Sequence, residues 1–195
     1  MAETIGENAV WMAWNLFLAA VPLALAIPLF DRRRQPSRRW LLGLVVFAAF
    51  LPNAPYVVTD VIHLPGDLRA VGGHGPARLA VLAQYSVFFA VGFTCYVAAL
   101  VRAEQWLLGR GWPLRGLVAA ELAVHGLCAV GIFLGRVFRF NSWDLVMRPD
   151  EVLSVFRIPE PRSVLWLTLT FSMLVIGTVT LRGLASIRVQ RLRVH

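Results

Sequence analysis

The chain has 195 residues, 58% of them hydrophobic and 15% charged, and its 19 basic against 11 acidic residues leave a net charge of +8. That length fits one domain, the apolar content excludes a disordered chain, and two cysteines, Cys95 and Cys128, exclude a disulfide framework. Every basic residue is arginine, which also excludes a lysine Schiff base and a phosphate-loop lysine.

Residues 8–30, 40–59, 79–101 and 163–181 contain no Asp, Glu, Lys or Arg, and 116–135 contains only Glu121. A helix needs about 20 apolar residues to cross a ~30 Å hydrocarbon core. Lipid offers no partner to backbone N–H and C=O groups, so such spans must be helices. The sequence therefore predicts an all-α polytopic transmembrane bundle of five spans in one integral membrane domain, near 9–30, 40–64, 77–101, 114–137 and 163–185. The leader of span one carries Glu3 and Glu7 and no basic residue, unlike a cleaved signal.

The loop after span one holds Arg32, Arg33, Arg34, Arg38 and Arg39. It reads first as a topology determinant, and second as a contact for anionic lipid headgroups. Nucleic acid is not expected, because no aromatic interleaving or second basic element accompanies it. Twelve arginines fall on this side of the membrane and seven on the other, so the N-terminus is expected outside and the C-terminus inside.

Polar groups inside a membrane are costly and mark a partner, a cavity or a function. In span two, Pro52-Asn53-Ala54-Pro55 removes two helical donors, from the carbonyls of Ala48 and Leu51, and predicts a kink or break near the midplane. His125 lies at similar depth on span four, with Glu121 one turn away on the same face. Gln84, Tyr85 and Asn15 lie about one turn outward. This layer reads as an interhelical hydrogen-bond cluster or as a substrate or ion cavity.

A second layer lies near the outer interface. Asn53, Tyr56, Asp60 and His63 are spaced 0, 3, 7 and 10, one face of a helix. Asp60 and His63 then lie roughly 12 and 16 Å outward of the span centre at ~1.5 Å per residue. On span four, Arg136 reaches a similar height, followed by Arg139, Asn141, Trp143 and Asp144. An ion pair of Asp60 with Arg136 or Arg139 is expected.

Three readings of the outer layer stay open: a structural polar cap; a divalent metal on Asp60, His63, Asp67 and Asp144, suited to zinc or manganese; or an anion held by Arg136 and Arg139, with Asp60 and His63 as base and acid. The metal reading is weakened by Pro65-Gly66, expected to interrupt any helix between His63 and Asp67. No cofactor is expected beyond such a metal. His63 and His125 differ in depth by roughly 15 Å at ~1.5 Å per residue, too far to share one haem iron. Gly131 and Gly135 on span four permit close helix contact, within one chain or in a homo-oligomer. Residues 138–162 are too polar to span, and Pro149-Asp150-Glu151 opens an expected amphipathic helix on the outer interface.

The stretch from Phe50 to Leu64, with Pro52-Asn53-Ala54-Pro55-Tyr56, Thr59-Asp60 and His63-Leu64, resembles the signature of a bacterial family of uncharacterised multi-pass membrane proteins. Gly135-Arg136, Arg139 and Asn141-Ser142-Trp143-Asp144 resemble its second signature. The resemblance implies an integral membrane protein and brings no catalytic residues with it. The absence of lysine beside abundant Arg, Ala, Gly and Leu points to a GC-rich bacterial genome and so to the plasma membrane. The functional expectation is an accessory or binding component with a polar cluster at the extracytoplasmic interface. The alternatives are an interfacial enzyme acting on a lipid or lipid-linked phosphate, and a small oligomeric transporter using the broken span two with Glu121 and His125 as a midplane site.

Overall fold

The computed structural model describes residues 2–72, 75–140, 144–155 and 161–193. These residues form helices and turns, and no strand occurs among them. Five helical stretches among them are long and apolar enough to cross a membrane: Asn8–Leu29, Arg38–Ile62, Pro76–Leu108, Leu114–Val137 and Pro161–Ala185. Only 17% to 39% of each apolar stretch is buried within the protein. A soluble helix turns a polar face outward. Here the outward faces are apolar, as with Leu41, Leu42, Val45 and Val46 of the second stretch, and suit lipid. The chain is a multi-pass membrane protein.

The chain divides into two compact units, Met1–Trp106 and Leu107–His195. In the first, helix α1 (Ala2–Leu29) turns through a short loop into α2 (Arg38–Phe50). Ser37 caps α2 by accepting from the Trp40 backbone N–H at 3.2 Å. The Trp40 indole N–H donates to the Leu29 carbonyl at 2.9 Å, so one residue fastens both ends of the loop. The two helices approach closely at Gly43, where a Cβ would sit 2.7 Å from Leu29 Cδ2.

The expected break in span two follows its prolines. Helix α2 stops at Phe50, α3 covers Asn53–Tyr56, and a 3₁₀ turn runs Val57–Ile62. Two carbonyls near the break are met locally. The Leu51 carbonyl accepts from Ala54 N at 3.2 Å and the Phe50 carbonyl from Asn53 Nδ2 at 3.0 Å. Helix α4 (Leu64–Ala70) then continues through Pro65 and Gly66, which corrects the expected interruption. Pro65 sits in the first turn, where its missing N–H costs no helical bond.

Helix α5 (Pro76–Leu108) buries one stripe, including Val81, Tyr85, Phe88, Gly92, Tyr96 and Ala99, at the 3–4 spacing of one helix face. Gly92 meets the broken segment. A Cβ there would collide with Val57 Cγ2 and come within 3.2 Å of the Ala54 carbonyl.

In the second unit, α6 (Leu114–Val137) packs on α9 (Pro161–Arg193). Their buried residues include His125, Cys128 and Ile132 on α6 and Thr170, Leu174 and Thr178 on α9. Between them lie two short helices, α7 (Asp144–Met147) and α8 (Pro149–Ser154), where one amphipathic helix was expected. The start at Pro149, with Asp150 and Glu151 in its first turn, is where the sequence put it. His74, Asn141 and Trp143 lie outside the described residues.

Candidate functional site

One end of the first unit is built around one carboxylate. Asp67 Oδ2 on α4 accepts from Asn8 Nδ2 of α1 at 2.7 Å and from the Tyr85 hydroxyl of α5 at 2.6 Å. Asn8 and Tyr85 are 6% and 1% exposed, so these donors would be costly to leave unpaired. Asn8 Oδ1 in turn accepts from Trp11 Nε1 at 3.1 Å. The Trp11 ring packs edge-on against Tyr85 and Phe88 and lies 5.8 Å from the His63 ring. Three segments that start or end on the same side of the apolar layer are thus joined by a short chain of side-chain hydrogen bonds.

Asp60 and His63 stand beside this joint. The 3₁₀ turn places i and i+3 side chains in register, and His63 Nε2 lies 4.0 Å from Asp60 Oδ1. The same turn breaks the single helical face expected for Asn53, Tyr56, Asp60 and His63. Its three residues per turn replace 3.6, so the azimuths drift apart. Asp60 is buried while the His63 side chain is 54% exposed. Asn53 is turned to the Phe50 carbonyl, and the Tyr56 carbonyl accepts from the Thr59 hydroxyl at 2.6 Å.

The second unit carries the other predicted residues. His125 Nε2 lies 3.6 Å from Glu121 Oε1, as the one-turn spacing implies. Glu121 also receives Arg182 of α9, at 3.2 and 3.3 Å from its two oxygens. The pairing of Arg182 with Glu121 depends on how α9 packs on α6, which spacing within one helix does not record. The His125 ring meets Phe171 edge-on at 6.4 Å between centroids.

Asp144 is buried and accepts from Arg148 Nη2 at 2.8 Å, with Glu151 3.1 Å from Nη1 of the same guanidinium. The Asp144 hydrogen bond, with the charges of Asp144 and Glu151, holds the Arg148 guanidinium above its ordinary range. Arg136 is part-buried in the last turn of α6. Arg139, just beyond, is exposed and has a left-handed backbone with φ 58°.

Among the described residues, no group of three or more His, Cys, Asp and Glu is placed to hold a metal ion. Asp60, His63 and Asp67 belong to Met1–Trp106, while Glu121, His125, Arg136, Arg139 and Asp144 belong to Leu107–His195. Asn8, Trp11 and the bond from Tyr85 to Asp67 escaped the sequence reading. Asn8 sits at the very start of the first apolar run, and that position was the only available signal.

The model of a family described as "Protein of unknown function (DUF1361)" matches residues 14–179, so the chain belongs to that family. No curated protein and no solved structure matches it.

Proposed function

With membership of this family as the premise, we propose that the chain is a binding or accessory component of the membrane whose working face is the end that carries Asp60, His63 and Asp67. The observation that supports this is the division of labour there. Asp67 is engaged by Asn8 and Tyr85, which fastens three segments, while His63 stands half-exposed beside the buried Asp60. A fixed frame with an exposed polar pair suits recognition of a polar group at the interface. The arginine count supports an extracytoplasmic position for this face, and the lysine-free composition supports a bacterial plasma membrane.

The test is native mass spectrometry with elemental analysis on the protein in mild detergent, wild type against Asp60→Asn. A bound small molecule, metal or lipid that is lost in the variant, with melting unchanged, supports the reading. A protein with nothing bound, whose Asp60→Asn variant only melts earlier, makes the face a structural cap.

The 4.0 Å approach of His63 to Asp60 favours a second reading, an interfacial enzyme on a lipid phosphate. Asp60 and His63 would move protons. Asp60→Asn and His63→Ala then abolish phosphate release from a short-chain lipid phosphate without lowering the melting temperature. Loss of fold in both variants counts against it. The transporter alternative rests on Glu121 and His125, which the structure pairs with each other. It requires Glu121→Gln to stop uptake in vesicles while leaving the outer face unaffected.

A further inference from the structure

At the other end of the first unit a cleft of about 380 Å³ opens between the α1–α2 loop and the C-terminal turns of α5. Its floor is aromatic. Trp106 is buried, stacks on Trp40 at 5.1 Å between centroids, and meets Phe30 edge-on at 5.9 Å. Its walls carry Arg32 and Arg33 from the loop and Arg102 from α5, with Gln105 and one carboxylate, Asp31. Asp31 Oδ1 accepts from the Arg33 backbone N–H at 2.8 Å and so shapes the loop. Among the described residues, no hydrogen bond or ion pair engages the guanidinium of Arg32, Arg33 or Arg102.

Depth follows from length. The apolar stretch Asn8–Leu29 has 22 residues, which at ~1.5 Å each spans a ~30 Å hydrocarbon core. Phe30 to Arg33 therefore stand at headgroup level. Helix α5, with 33 residues, overshoots the core and carries Arg102 and Trp106 to that level. Tryptophan is at home there, because its ring is apolar and its N–H is polar.

We propose that this cleft is a binding site for a phosphate group, held by Arg32, Arg33 and Arg102 over the Phe30–Trp106 floor. Three guanidiniums against one carboxylate demand an anion, and guanidinium is suited to a bidentate grip on phosphate. The volume is at the small end of ligand sites and admits a headgroup rather than an acyl chain. The phosphate belongs either to an anionic phospholipid of the bilayer or to a soluble phosphate. The site differs from diffuse attraction to the basic loop, because Arg38 and Arg39 do not line it while Arg102, from a distant part of the chain, does.

The experiment uses the full-length protein released from vesicles of phosphatidylcholine alone, or of phosphatidylcholine with phosphatidylglycerol. Retained lipid is read by native mass spectrometry, with and without inorganic phosphate. Retention of phosphatidylglycerol over phosphatidylcholine is expected to fall about tenfold in Arg102→Gln, and similarly in Arg32→Gln, the loss expected for a charge-assisted contact. Arg38→Gln/Arg39→Gln, the control for net charge, should change it little. Far-UV circular dichroism confirms that the helices persist. Displacement of the lipid by inorganic phosphate, or saturable phosphate binding without lipid that needs Arg102, supports the site and assigns it a soluble source. Equal loss in the Arg38/Arg39 control, equal retention of both lipids with no phosphate binding, or no effect of Arg102→Gln overturns the proposal.

Discussion

Asn8 and Tyr85 donate to the same oxygen of Asp67, so the three side chains form one joint rather than two separate pairs. Removing the hydroxyl in Tyr85→Phe should cost about 1.5–3 kcal/mol, the range for a bond to a charged acceptor. Asn8→Ala combined with Tyr85→Phe should deviate from additivity, because both lean on one carboxylate. Thermal unfolding in detergent measures both; additive losses would mean the acceptor is not shared. Arg139 poses the opposite question. Its left-handed backbone disfavours any residue with a Cβ by about 1–2 kcal/mol, which glycine avoids at some entropic cost. Arg139→Gly should leave the melting temperature unchanged or slightly raised. A clear drop would show that the guanidinium itself holds the fold, and would weaken its use as an anion ligand. The sequence showed that Asp60, His63 and Glu121 needed explaining, since ionisable groups in apolar spans are conspicuous. It did not show what meets them. Tyr85 reaching Asp67, or Arg182 reaching Glu121, depends on the rotation and offset of packed helices, and spacing along one helix carries no record of its neighbour.

At the scale of elements, the spans were readable because charge-free length is a direct consequence of bilayer thickness. The break in span two was readable from Pro52 and Pro55. What the prolines could not convey was the 3₁₀ turn that follows, or the continuation of helix through Pro65. Both depend on small differences in local hydrogen bonding. The broken segment is accommodated because Gly92 of α5 has no side chain where Val57 and the Ala54 carbonyl come in. Gly92→Ala should therefore destabilise by about 1–3 kcal/mol, the usual cost of overpacking a filled interior, seen as earlier thermal unfolding in detergent. Gly126→Ala on α6, where a Cβ would meet nothing within 4 Å, is the matched control and should be neutral or slightly stabilising. Equal behaviour of the two variants would mean that α5 does not press on the break as described.

For the whole molecule, orientation is set by arginine rather than by fold. Twelve arginines on the side of the 31–39 loop against seven opposite predict a cytoplasmic C-terminus. A C-terminal reporter that is active only in the cytoplasm should therefore be active, and an active periplasmic reporter there would invert the assignment. The α1–α2 pair also bears on how the chain enters the membrane. Its second helix ends in a segment whose close neighbour, Gly92, is made later, as are Asp67 and Tyr85, which complete the joint with Asn8. Until α5 arrives, α1 alone covers the irregular backbone of the break, and Asp67 lacks its Tyr85 donor. The first two spans are therefore an incompletely sealed hairpin. Its open side closes only when α5 brings Gly92 against the break and Tyr85 onto Asp67.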